Sequence, residues 1–140
     1  MSAIQKIRLV VLISGRGSNL QAILDQAVSG ELPVEVAAVV SNRPGVHGLE
    51  RARQAGVPAL ELDHKNFADR PEFEAALIET IDHRQPDLVV LAGFMRVLTA
   101  GFTEHYRGRL LNIHPSLLPK FRGLHTHERA IAAGETEHGD

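Results

Sequence analysis

IRLVVLISGRGSNL, residues 7–20, decides the fold. Six of its first seven residues are apolar, with no polar–apolar alternation. Such a run reads as a strand buried on both faces, the kind found in parallel sheets. The run gives way at once to Ser14-Gly15-Arg16-Gly17-Ser18-Asn19. Beyond that loop, Leu20, Ile23, Leu24 and Ala27 recur at helical spacing, with Ser18 and Gln21 at capping-box spacing and Gly30 near the end. Strand, glycine loop and helix together form the opening unit of a doubly wound sheet.

The same unit repeats outward along the chain. VEVAAVV, residues 34–40, again has six apolar residues of seven, and LVVLA, residues 88–92, is apolar throughout. A second helix is predicted over residues 47–55, ended by Gly56 and Pro58. Phe73, Leu77 and Ile81 mark a third that stops before Pro86, and a shorter one around residues 102–106 precedes the RLLNI strand. Leu98, Phe102 and Tyr106, at helical spacing, read as core. The expected fold class is α/β, an open and mostly parallel doubly wound sheet of Rossmann-like form. Right-handed crossovers gather the strand C-terminal ends on one edge, and ligands bind outside that edge. Three polar clusters follow strands, SGRGSN, GFMR and NIH, which predicts one composite site.

Bulk properties narrow the class. With 140 residues, 44% hydrophobic and 23% charged, the chain reads as one ordinary soluble domain. A net charge of −2 gives no electrostatic reason to expect nucleic acid or an anionic membrane as partner. The lack of cysteine excludes disulfides and thiol chemistry and suits a reducing cytoplasm. Arg8 interrupts the N-terminal apolar run, which lacks the length and cleavage context of a signal peptide. No stretch approaches the roughly 18 apolar residues of a membrane span. A cytoplasmic location is expected.

Glycines let the backbone approach a ligand closely, and free amides at a helix start favour an anion. A dinucleotide fingerprint fails here on two counts. Leu20 stands where a third glycine belongs, and the second strand ends in Ser41-Asn42-Arg43 without the acid that would hold a ribose. No Gly-Lys-Ser/Thr follows, so it is not a Walker loop. A phosphate monoester fits better than NAD; the alternative is a tight turn and helix cap without a ligand.

In LLNIHPSLLP, residues 110–119, Asn112 and His114 stand two apart, so that they face the same way on an extended chain. The reference pKa of a histidine, about 6.5, suits His114 to general acid or base work. Asn112 offers an amide donor for negative charge developing on a carbonyl oxygen. Without a cysteine or an evident Ser-His-Asp set, direct transfer between bound substrates is favoured over an acyl-enzyme. The alternative is that the pair only satisfies backbone groups at a strand end. His125, His127 and His138 invite a zinc reading, but no carboxylate or cysteine completes a set, and Thr126 and Glu128 look like capping chemistry. No metal is expected. The charged helix surfaces, including Glu50-Arg51 and residues 72–79, read as solvated faces.

SGRGSNL, GLERARQAGVP, VVLAGFMRVL and LLNIHPSLLPKFRGLHTH together closely resemble the phosphoribosylglycinamide formyltransferase family, the glycinamide ribonucleotide transformylases. The resemblance runs through essentially the whole chain. NIHPSLLP is shared with other folate-dependent formyltransferases, whereas SGRGSNL combined with RGLHTH is more discriminating. It implies a formyltransferase of purine biosynthesis. The amine of glycinamide ribonucleotide attacks the formyl carbon of 10-formyltetrahydrofolate, giving the N-formyl product and tetrahydrofolate. Both substrates are small molecules.

Carried over by motif, Gly17, Ser18 and Asn19 would hold the nucleotide phosphate. Arg70, Met95, Arg96, Val97 and Leu98 would contact the folate. Asn112 would bind the formyl oxygen and His114 would transfer the proton. The resemblance also implies further strands, a C-terminal helix and a loop whose aspartate raises the pKa of the catalytic histidine. On that reading residues 1–140 form a single formyltransferase domain truncated at its C-terminus, with impaired turnover. Asp140 matches a small hydroxylated residue of the family and is not given the aspartate's role. Competing readings are a 10-formyltetrahydrofolate hydrolase, a non-catalytic nucleotide-binding module and, more distantly, an NAD oxidoreductase.

Overall fold

The computed structural model describes residues 6–113. Five strands, β1 Ile7–Ile13, β2 Val34–Ser41, β3 Ala59–Glu61, β4 Leu88–Ala92 and β5 Leu110–Ile113, form one parallel sheet in the order β3-β2-β1-β4-β5. Four helices connect them: α1 Ser18–Ser29, α2 His47–Gln54, α3 Arg70–His83 and α4 Ala100–His105. A 3-10 turn, His64–Asn66, lies between β3 and α3. The open doubly wound sheet expected from the apolar runs is the sheet observed. β3 has no such run; it is three residues long and only partly covered, as an edge strand can be.

Both faces of the sheet are covered, which is why β4 is buried along its whole length. On one face Leu9, Val11, Ile13, Val90 and Leu111 pack with Leu20, Ile23 and Leu24 of α1 and Ala52 of α2. On the other, Val10, Leu12, Val89 and Leu91 pack with Phe73, Leu77 and Ile81 of α3 and Phe102 of α4, beside Tyr106. Each fully buried Phe or Leu contributes about 1.5–3 kcal/mol. A register shift sets Leu9 opposite Val36 but Val10 opposite Ala38. The extra residue, Ala37, switches the strand's facing, so Val34 and Val39 reach one core while Ala37 and Val40 reach the other.

α3 starts on a local signal. Asp69 caps it by accepting from the Glu72 amide at 3.0 Å, and Pro71 occupies the first turn, where its missing N–H costs nothing. α1 departs from the expected capping box. Its cap is Gly17 in the left-handed region, so Ser18 is already the first helical residue and makes no cap bond. The Gln21 side chain instead bonds Asp25 and Arg51.

From central β1 the chain winds outward to β2 and β3, then crosses to β4 and β5 on the far side. The topological switch point therefore lies between the C-terminal ends of β1 and β4, where such sheets bind ligands.

Candidate functional site

The loop after β1 is shaped by backbone contact. The Gly48 amide of α2 donates to the Gly15 carbonyl at 3.0 Å. A Cβ on Gly17, which has φ of +79°, would stand 2.8 Å from the Gly48 Cα. One on Gly48 would stand 2.4 Å from Ile13 Cδ1 and 2.9 Å from the Gly15 oxygen. Neither position admits a side chain without movement. Arg51, one turn further along α2, donates from Nε to the Arg16 carbonyl at 2.7 Å and from Nη1 to Gln21 Oε1 at 3.1 Å. The first helical bond of α1 runs from the Gln21 amide to the Gly17 carbonyl, so the amides of Ser18, Asn19 and Leu20 precede the helical ladder. An anion set there meets backbone donors and the positive end of a 12-residue helix.

The loop after β4 is built differently. Gly93, with φ of +77°, turns the chain off the strand into a segment without regular structure. The Met95 amide donates to Ser14 Oγ at 2.7 Å, a bond that crosses the switch point. Ser14 donates in turn to Asn42 Oδ1 at 2.5 Å, and both residues are buried. His64 Nδ1 lies 3.0 Å from the Asn42 carbonyl and 3.2 Å from Asn42 Nδ2. One ring nitrogen serves either contact, as donor to the carbonyl or as acceptor from the amide. The C-terminal ends of β1, β2, β3 and β4 are thus joined by one polar chain. Asn42, which stands where a dinucleotide protein would carry its ribose acid, is turned inward to this chain.

Phe94 and Leu98 anchor the segment in the α3–α4 core, and Arg96 lies 5.9 Å from the centre of the Phe73 ring. Met95 and Val97 are each 72% exposed, so the segment presents apolar side chains outward from the site edge. At its end, Thr99 donates its amide to Glu74 Oε2 at 2.7 Å and its hydroxyl to Glu74 Oε1. Arg70 is exposed at the first position of α3, one turn before Glu74. The start of α3 is therefore fixed beside Arg96 and Thr99 through Phe73 and Glu74, with Arg70 one turn before Glu74 on the same helix.

Asn112 is half-buried on β5, opposite Leu91 of β4. Leu111 and Ile113 point into the α1–α2 core, so alternation turns Asn112 to the α3–α4 side. His114 lies outside the described residues, as do His125, His127, His138 and Asp140. The described residues contain no group of three or more His, Cys, Asp or Glu able to hold a metal. Among them, no helix is long and apolar enough to cross a membrane.

Two residues read from sequence as solvated are not. Glu74 is 5% exposed and Arg51 is half-buried against the glycine loop. Glu74 stands one position from Phe73, four before Ile78 and three before Leu77, a carboxylate at the margin of the apolar stripe. That placement was the available signal. Ser14, Asn42 and Gly48 gave none of comparable strength.

The fold and the two loops at its switch point define a Rossmann-like α/β protein with a composite site, and the chain belongs to the Formyl transferase family, whose model matches residues 7–140. It is 54% identical over 133 residues to phosphoribosylglycinamide formyltransferase of Escherichia coli K12, covering 95% of this chain and 63% of the relative. It is 43% identical to the human trifunctional purine biosynthetic protein adenosine-3, covering 96% of this chain and 13% of that one. The crystal structure of glycinamide ribonucleotide transformylase 1 from Symbiobacterium toebii matches with a TM-score of 0.76 at 48% identity, over 93% of this chain and 61% of that one. The chain thus spans about three-fifths of the length of the bacterial relatives it matches.

Proposed function

We propose that the protein transfers a formyl group from 10-formyltetrahydrofolate to the amine of glycinamide ribonucleotide, a step of purine biosynthesis carried out in the cytoplasm. Residues 1–140 act within a single formyltransferase domain. The observation that carries the reading is the Ser14–Met95 hydrogen bond, which links the glycine loop to the exposed apolar segment across the switch point. A phosphorylated amine and a reduced folate need such neighbouring subsites, one rich in backbone donors and one apolar.

The nucleotide phosphate sits on Gly17, Ser18 and Asn19, where amides precede the helical ladder of α1. The folate lies along Met95, Arg96, Val97 and Leu98, and the Arg70 guanidinium meets its acidic tail. Attack of the amine on the formyl carbon makes a tetrahedral intermediate with charge on the former carbonyl oxygen. The Asn112 amide donates to that oxygen. His114 carries the proton from the attacking nitrogen to N10 of the folate, the carbon–N10 bond breaks, and tetrahydrofolate leaves. No metal takes part.

The test follows tetrahydrofolate and N-formyl product together. They should form in equal amounts and only with glycinamide ribonucleotide present. Formate release without that acceptor would establish a hydrolase instead, and nucleotide binding without either product a non-catalytic module. Asn112→Ala should lower kcat by about 10²- to 10³-fold, as loss of an oxyanion donor does. His114→Ala should lower it by about 10²- to 10⁴-fold with nucleotide affinity retained. Unchanged rates in both variants would remove these residues from the chemistry.

A further inference from the structure

We infer that Glu74 is a positioning residue for the folate subsite, holding the segment of residues 95–98 at its far end while Ser14 holds it at the near end. This role rests on the proposed function. The segment has no secondary structure to fix it. Its backbone is tied at Met95 by the Ser14 hydroxyl and at Thr99 by the Glu74 carboxylate. Met95, at the near tie, and Val97, between the two, carry large apolar side chains left 72% exposed.

Burying a carboxylate is unfavourable unless its oxygens are satisfied. Glu74 is 5% exposed, and each of its two oxygens accepts from Thr99, one from the amide and one from the hydroxyl. A helix start needs no such partner, because a threonine at the cap position can accept from its own helix. Thr99 occupies the cap of α4 yet makes no side-chain cap bond; its hydroxyl is turned to Glu74 and donates there. The arrangement fixes where the segment lies relative to α3, beyond closing a helix end. Since α3 also carries Arg70 one turn earlier, one rigid helix sets the spacing between Arg70 and the apolar segment.

The decisive variant is Glu74→Met, which keeps the bulk and removes both acceptors. It should raise the KM for 10-formyltetrahydrofolate about ten-fold or more, the loss expected when hydrogen bonds to a charged group are removed. The KM for glycinamide ribonucleotide should stay within about two-fold, because the glycine loop is held by other contacts. Glu74→Gln, which still accepts from the Thr99 amide and can donate to its hydroxyl, should recover most of the loss. Should Glu74→Met not fold, Thr99→Val removes the hydroxyl bond alone and should raise the folate KM several-fold, with Thr99→Ser near the unmutated value. A folate KM unchanged in Glu74→Met, or in Thr99→Val where that variant is used, overturns the role. So does an equal rise in both KM values, which marks general loosening of the fold. Absence of formyl transfer in the unmutated full-length protein overturns the proposed function itself and is seen before any variant is made.

Discussion

The loops after β1 and β4 stand side by side at the switch point, but they are built on opposite plans. The first is defined by missing side chains. Gly17 and Gly48 bring two backbones together, and Arg51 closes the loop through a carbonyl. The second is defined by side chains that reach across the fold, Ser14 to Met95 and Glu74 to Thr99. An anion wants converging amides, which a bare backbone supplies. An apolar ligand wants exposed side chains on a backbone that does not move, and the fixing must come from behind.

Ser14 belongs to both plans, so its loss should have the largest effect. Ser14→Ala leaves the Met95 amide and Asn42 Oδ1 without their partner, which costs about 3 kcal/mol. It should also raise both KM values; denaturant unfolding and steady-state kinetics together check this, and a change in only one KM would separate the two loops. Next comes Gly48→Ala. Its Cβ meets Ile13 Cδ1 and the Gly15 oxygen, so overpacking should cost about 2 kcal/mol and weaken glycinamide ribonucleotide more than folate. Calorimetric titration with the nucleotide reads the difference, and undiminished affinity would mean that the loop tolerates displacement.

Arg51→Ala is a gentler probe of the same loop. Loss of its bonds to Arg16 and Gln21 should destabilise by about 1 kcal/mol and raise the nucleotide KM a few-fold, with the folate KM unmoved. The smallest effect is expected away from both loops. The Tyr106 hydroxyl donates to Asp82 Oδ1 at 2.8 Å, and burial, then the Asp82 carboxylate, push its pKa up. A neutral phenol favoured by folding stabilises fully below its ordinary pKa of about 10, and that contribution falls as pH rises beyond it. Tyr106→Phe should cost about 0.5–1 kcal/mol at neutral pH and flatten the alkaline loss of stability. Thermal unfolding across pH 7 to 11 tests it, and a parallel fall in both proteins would assign the alkaline loss to other groups.

Much of the fold could be read from local pattern. The runs that became β1, β2 and β4 are apolar enough to need cover on both faces, and only a parallel sheet between helices provides it. Phe73, Leu77 and Ile81 marked α3 because a helix buries a stripe. Reading failed where a polar residue's role depended on a partner distant in sequence. The Ser18–Gln21 pair matched a capping box, but Gly17 takes the cap because its left-handed conformation lets the loop turn against Gly48. Glu74 and Arg51 looked solvated because a charged residue on a helix usually is.

By itself the sequence determined the parallel α/β architecture, the glycine loop and the edge on which the polar clusters gather, since each follows from residues within one element or its next turn. Tertiary structure alone decided that Ser14 would meet Met95 81 positions away and that Glu74 would hold Thr99 25 positions on. The physical reason lies in the cost of burial. A hydroxyl or carboxylate belongs inside only when a partner waits there, and the order of the strands brings that partner.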